Sequence, residues 1–329
     1  MKKLLLAALL LLLGGFLPAA AQDEEEPVQI QMPFNVEMGK PIKVKLKYTM
    51  QQGPASMTAI ETVELTPLKA EGDQVIYRAK SVESDLLDLQ GMPPLIGDVV
   101  MQVAEASKGL TYEYAADGTG YPLELTETKE IKKLMKKARK ALKKWAKEFS
   151  KANDLDKQQR KQVIALTEQS LLEAFPEEEE ALNRTVLESG QLVFYPTGRW
   201  LYRDYYTEIK TSRYFEPGEA YFHTIDSWQL VSYDEAKGEA VVQFDQYLND
   251  DEYQGFLGRY KNMLMEQYGE SEEDSINELV EKYRQMQMTR KGEYVIDLTS
   301  GLPKSGTVRS EQTFDGNTEV ETIEFTMGY

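Results

Sequence analysis

From Ile42 onward apolar and polar positions alternate, with Ile42, Val44, Leu46, Tyr48 and Met50 on one face and Lys43, Lys45, Lys47 and Thr49 on the other. A period of two predicts a strand that is half buried. Residues 57–65 and 75–82 continue the pattern around the turn at Glu71-Gly72-Asp73, so an antiparallel meander is expected. Residues 86–95 contain paired prolines and read as a loop, and 98–106 and 110–115 read as further strands, the latter closing at Asp117-Gly118.

After Leu125 the rhythm changes to that of a helix. Ile131, Leu134, Met135, Ala138, Leu142, Trp145 and Phe149 recur at three and four residues, which predicts one helix of about 25 residues, roughly 38 Å long, with a single apolar stripe. A second helix follows Asp154, with Val163, Leu166, Leu171 and Phe175 on its stripe. Pro176 opens a third, short piece whose first turn holds Glu177 to Glu180, where carboxylates complement the amide end of a helix. Strand character is expected again over 191–247. A helical pair follows, striped by Tyr253, Phe256, Leu257, Tyr260, Met263, Leu264 and Tyr268 and then by Ile276, Leu279, Val280, Tyr283 and Met286, with its break at Gly269-Glu270-Ser271. Strands over 294–298, 308–314 and 319–327 finish the chain, the last two joined by Asp315-Gly316-Asn317.

The halves echo one another. A hairpin at Gly72 and a strand pair opening at Gly109 and closing at Gly120-Tyr121-Pro122 answer a hairpin at Gly238 and a pair opening at Gly292 and closing at Gly301-Leu302-Pro303. The glycines are expected to supply positive backbone angles. The predicted fold class is therefore α+β, two antiparallel β units forming duplicated, curved sheets with helical hairpin insertions. The first unit covers 40–125, a helical insertion 126–183, and the second unit 184–329 with its helical pair at 250–290. Residues 22–39, acidic with two prolines in 22–33, read as a flexible arm.

Residues 1–21 have a different character. Lys2 and Lys3 precede an apolar run from Leu4 to Leu17 and then Pro18-Ala19-Ala20-Ala21-Gln22, the order of a secretory signal peptide cleaved after Ala21. The run is shorter than the roughly 20 residues a spanning helix needs, and no transmembrane segment is expected in the mature chain. A chain without cysteine excludes thiol chemistry, zinc ribbons and lipid attachment at a cysteine. With the signal, the missing disulfides point to a bacterial periplasm or the extracellular space. The formal charge of −17 becomes more negative once Lys2 and Lys3 leave, which argues against a nucleic-acid partner.

On the signal peptide, the opening 40–50 strand, the glycine-initiated strand at Gly109 and the phrase from Tyr294 to Pro303, the chain resembles a group of exported bacterial proteins filed as domains of unknown function. Such proteins are similar in layout to envelope carriers of lipids and lipoproteins, in which a curved sheet covers an apolar ligand. The resemblance implies an architecture and no site residue.

Two features are candidates for function. Residues 127–151 hold eleven Lys and Arg against Glu127, Glu130 and Glu148. Lys132, Lys136, Lys140, Lys143 and Lys147 with Trp145 either dock on anionic lipid or another envelope partner, or form a solvated face that neutralises Glu177 to Glu180 and the 270–274 cluster while the stripe enters the core. Residues 194–228 hold eleven of the 33 aromatics. Trp200, Tyr202, Tyr206, Tyr214, Tyr221 and Trp228 are ligand-binding candidates, since tyrosine and tryptophan suit a half-wet cleft. Packing of strands on a partner layer is the alternative.

Catalysis has little to build on. His223 is the single histidine, set in an aromatic strand, and any Ser-His-acid triad would have to use it. Asp204, Glu208, Glu216 and Asp226 could supply an acid and base pair for a glycan. Asn249 to Glu252 lacks the spacing of a calcium loop and reads as a helix cap. No metal and no cofactor is expected. The sequence favours a non-catalytic envelope protein binding an apolar or amphiphilic, lipid-like ligand between sheet and helices. A protein-interaction or structural module without small ligand and a carboxylate-dependent glycan hydrolase are the alternatives.

Overall fold

The computed structural model of the chain describes residues 29–91, 101, 105, 108–174, 178–203, 205–215 and 220–328. Among the described residues eleven strands form one antiparallel sheet. They are β2 (Ile42–Gln52), β3 (Ala55–Glu71), β4 (Gln74–Gln90), β5 (Thr111–Ala116), β6 (Pro122–Glu127), β8 (Tyr206–Phe215), β9 (Ala220–Asp234), β10 (Glu239–Leu248), β11 (Gln287–Asp297), β12 (Pro303–Phe314) and β13 (Asn317–Gly328). Their order is β6-β5-β4-β3-β2-β13-β12-β11-β10-β9-β8. Each strand therefore lies beside its neighbour in sequence, except that β2 pairs with β13 from Lys43↔Gly328 to Gln52↔Glu319. The two expected β units are joined edge to edge in one sheet through that pairing.

Three helices occupy the connection between the sheet's two edges. They are α1 (Lys129–Ala152), α2 (Lys157–Ala174) and α3 (Glu179–Val193). Asp156 starts α2 by accepting from the amides of Gln158 at 2.7 Å and Gln159 at 2.9 Å. The pair α4 (Asp250–Tyr268) and α5 (Glu273–Arg284) lies between β10 and β11. Asn249 caps α4 as its sequence suggests, accepting from the Glu252 amide at 3.5 Å, and Gly269 ends it at φ +84°.

Helix α3 shows that the sheet is rolled. Asn183 accepts from the Leu125 amide of β6 at 3.0 Å, Glu180 accepts from the Tyr221 hydroxyl of β9 at 3.0 Å, and the Leu192 carbonyl accepts from the Tyr294 hydroxyl of β11 at 2.8 Å. Laid flat, the nine steps from β6 to β9 at about 4.8 Å would span on the order of 43 Å, against the roughly 10 Å width of one helix. Only a sheet curved around α3 lets one helix touch both. The main core sits in that curve, where Leu182, Leu187, Leu192 and Val193 of α3 meet Val44, Leu46, Tyr77 and Tyr114 from one half and Trp228, Phe244, Tyr294 and Phe325 from the other. Gly292 faces Phe244 so closely that an added Cβ would stand 2.2 Å from the ring. Its φ is not positive, unlike those of Gly72, Gly109, Gly120, Gly238 and Gly301, so its part in the repeated phrase is to make room for an aromatic ring.

A second core lies under α4 and α5. Tyr253, Phe256, Leu257, Tyr260 and Leu264 bury against Phe215, Phe222 and Met288, and full burial of a side chain of this size contributes about 1.5–3 kcal/mol.

Several expectations change. The arm expected over 22–39 is partly built in, since β1 (Gln29–Gln31) pairs with β7 (Trp200–Tyr202) in a small second sheet and Met32 is buried. Residues 86–90, expected as loop, extend β4 because they pair with 56–59 of β3. The prolines of that expected loop and most of the strand expected over 98–106 lie outside the described residues, and Met101 and Glu105 are helical. Strand structure expected from Gln191 begins only at Trp200, because Leu187, Leu192 and Val193 are buried on a helix despite the β preference of Val193 to Tyr195.

Candidate functional site

Along β9, β10 and β11 the inward-facing row is apolar at both ends and polar between. On β9 it reads Phe222, Thr224, Asp226, Trp228, Leu230, all buried; on β10 Ala240, Val242, Phe244, Gln246 and the half-buried Leu248; on β11 Met288, Arg290, Gly292, Tyr294, Ile296. The pairing register sets the polar members opposite one another, so that Asp226, Gln246, Arg290, Ser310 and Glu321 make one continuous row across five strands. This row separates the two cores.

Asp226 is the hub of the row. It accepts from Gln246 at 2.7 Å, from Thr211 at 3.0 Å and from the Tyr195 hydroxyl. Burial still pushes its carboxyl up to about 6, against the lowering effects of Gln246 and the Arg290 charge. The carbonyl oxygen of Gln246 is buried with no hydrogen-bond partner among the described residues.

In front of this row a cleft of about 910 Å³ opens between α3, strand β8, the Asp117–Tyr121 turn and the Thr197–Arg199 loop. It is lined by Arg184, Arg199, Lys210, Arg213 and Arg290 against Asp117 and Glu188, an excess of positive charge inside an acidic chain. Asp117 is used by its own turn, accepting from the Thr119 amide at 2.8 Å and the Tyr121 amide at 3.0 Å. Lys210 pairs with Glu252 at 2.7 Å, and Arg184 pairs with Glu180 at 3.2 Å while lying 3.6 Å over the Tyr214 ring. Arg290 donates to Ser310 at 2.8 Å and reaches Glu188 at 3.5 Å.

Two arginines are left with neutral partners. Arg199 donates to the Tyr195 carbonyl at 2.7 Å and stacks on Tyr195 and Trp228, and Arg213 reaches the Met288 sulfur at 3.0 Å. Among the described residues neither has a carboxylate at ion-pair distance. Burial lowers both guanidinium groups, and for Arg213, where the Arg290 charge adds to it, the result is about 10. On the other side of α3, among the described residues, Val44, Leu46, Val63, Leu65, Tyr112 and Tyr114 leave about 30 Å³ against Val186 and Val193.

The aromatic candidates divide. Tyr214 and Tyr221, 5.2 Å apart edge to face, line the cleft, and Trp228 lies fully buried under Tyr195 and Arg199. Tyr202 is half-buried on β7, whereas Trp200 and Tyr206, 51% and 64% exposed, lie away from the cleft. Sequence reasoning missed Arg184, Arg199, Arg213 and Arg290. A signal existed for Arg290, a charge at an inward position of an alternating strand.

The basic candidates lie on α1. Lys132, Lys136, Lys140 and Lys143 flank a shallow groove of about 470 Å³ above Met135 and Leu182, and Lys143 pairs with Glu168 of α2 at 3.0 Å. Ile131 and Met135 enter the main core, Trp145 packs on Phe149 at 5.3 Å, and Lys147 is exposed. Glu180, expected as a partner for these lysines, bonds Arg184 and Tyr221 instead.

The catalytic candidates are poorly placed for chemistry. Glu208 pairs with Ser227 and Asp226 with Ile209, so these two carboxylates point to opposite faces of the sheet and cannot flank one sugar; Asp204 and Glu216 lie outside the described residues. Ser212 Oγ stands 3.1 Å from His223 Nδ1, but His223 Nε2 is 3.9 Å from Glu252, which Lys210 already holds. That separation is too long for the hydrogen bond that orients a catalytic imidazole. No cluster of metal-ligating side chains occurs among the described residues.

No protein-family model matches the chain, and no curated protein does. Among solved structures it is similar to a lipovitellin chain, described by the words lipid-protein interactions in lipovitellin, at 10% identity and a TM-score of 0.45 over 89% of this chain and 25% of that one. The chain thus spans about a quarter of the length of the lipovitellin chain. No helix among the described residues is long and apolar enough to cross a membrane.

Proposed function

We propose that the chain is an exported, non-catalytic binding protein that holds an amphiphilic molecule of the bacterial envelope in the cleft between α3 and strands β8–β11. The observation that carries this reading is the asymmetry of the interior. Among the described residues the same helix leaves a gap of about 30 Å³ against β2, β3 and β5 and stands off the other half of the rolled sheet by about 910 Å³. Ring faces from Tyr195, Tyr214 and Tyr221 beside cationic groups suit a ligand with both apolar and charged parts. The amino-terminal basic, apolar and small-residue sequence supports export, with cleavage after Ala21 and a site of action in the periplasm or outside the cell.

Native mass spectrometry of the chain from a periplasmic extract tests the reading. A co-purifying mass is expected in the wild type and lost or reduced in Thr185→Trp, which narrows the cleft from an exposed helical position on its lining. A bare wild type, or a variant that keeps the mass, would contradict it.

A second reading, docking on an anionic envelope surface through α1, is favoured by the groove between Lys132, Lys136, Lys140 and Lys143. We also read the order across the sheet, which falls from β6 to β2 and again from β13 to β8, as the trace of a duplicated unit. Superposing β2–β6 on β8–β12 tests this, and inward-facing rows that fail to coincide would oppose it.

A further inference from the structure

We infer that the cleft is a seat for a phosphate group, gripped by Arg199, Arg213 and Arg290. The inference rests on the cleft being a ligand site and names the chemistry it selects.

The three guanidinium groups come from separate elements, the loop before β7, strand β8 and strand β11, and all line the one cavity. They share surroundings: the charges of Arg199 and Arg290 both act on the hydroxyls of Tyr121 and Tyr294, and the charge of Arg290 acts on Arg213. Burying like charges together is costly unless something neutralises them. The anions present do this incompletely. Asp226 is taken up by Tyr195, Gln246 and Thr211, Asp117 by its turn, and Glu188 meets Arg290 at 3.5 Å from a largely exposed position and acts on Arg213 without an ion pair. Glu321, whose charge also acts on Arg290 and Arg213, makes an ion pair with neither and has its own carboxyl pushed up by burial.

The deficit defines the ligand. A carboxylate brings two acceptor oxygens and one charge, which a single arginine fork satisfies. Three forks call for more acceptors and more charge, and a phosphate offers both, carrying up to about two negative charges and three acceptor oxygens as a monoester. Tyr214 and Tyr221 at the mouth, with Arg184 over Tyr214, would lie against whatever the phosphate is attached to. The source is either the headgroup of a lipid or a soluble phosphate.

Calorimetric titration of the whole chain with three probes separates the possibilities: inorganic phosphate, dihexanoyl phosphatidic acid below its micellar concentration, and octyl glucoside as a neutral amphiphile. Phosphatidic acid is expected to bind, weakened about tenfold or more by Arg213→Met and by Arg199→Gln, while Lys304→Gln, on a surface ion pair with Glu239, leaves binding unchanged. Arg213→Met is also expected to hold or raise the melting temperature of the unliganded chain, because it removes a crowded charge beside Met288. A merely structural arginine would lose stability when replaced. Phosphate bound as tightly as phosphatidic acid, with the same arginine dependence, supports the seat and identifies a soluble ligand. Octyl glucoside bound as well as phosphatidic acid, with no effect of either arginine variant, overturns the phosphate seat and leaves the ligand cleft standing. Failure of all three probes to bind overturns both.

Discussion

Asp226 concentrates the residue-scale consequences of the polar row. Its carboxyl is held up to about 6 by burial, so between about pH 4 and pH 6 the folded chain keeps a proton that the unfolded chain has released. This group's contribution is therefore complete below the ordinary carboxylate range and is lost as pH rises through about 6. Asp226→Asn keeps an acceptor for Gln246 and Thr211 and removes the titration. Relative to wild type the variant is expected to gain on the order of 1–3 kcal/mol of stability from pH 4 to pH 7, measured by urea unfolding at each pH. A constant difference across that window would show that Asp226 does not titrate there. At this scale the sequence was legible where a residue type decides the outcome alone, as with Asn249 at the cap of α4. It was opaque where several strands decide together. Arg213 and Arg290 are ordinary charges in an acidic chain until the register brings them to the same cleft.

Helices were legible as elements because their period is local. Residues 129–152 form α1 where the stripe from Ile131 to Phe149 predicts it, and α4 and α5 follow the stripes after Asn249 and Ser271. On α1, Ile131 and Met135 enter the core while Lys132, Lys136 and Lys140 remain exposed beside a groove. If α1 docks on membranes, the wild type should float with vesicles containing a third phosphatidylglycerol and not with purely zwitterionic ones. Replacing Lys132, Lys136 and Lys140 together by Gln should then abolish flotation without changing the melting temperature. Flotation unaffected by the triple replacement would remove α1 from that role. Element boundaries were harder to read near 191–199, where Val193, Phe194 and Tyr195 favour strands by type but Val193 and Phe194 are buried at the end of α3 and Tyr195 is half-buried beside them.

At the scale of the whole molecule, the decisive event is the pairing of β2 with β13, the two ends of a meander more than 260 residues apart. Nothing in local periodicity encodes such a contact, which is why antiparallel strands interrupted by helices were legible and a single rolled sheet in place of two was not. Rolling places a single helix against both halves, and its unequal fit leaves one side open. Hydrogen exchange of the whole chain, measured with and without dihexanoyl phosphatidic acid, examines that open side most directly. Slowed exchange in α3, in the edge strand β8 and in the 197–199 loop, with β2–β5 unchanged, is the expected result. Unchanged exchange at all three, or slowing confined to α1, would contradict a ligand cleft in the rolled sheet.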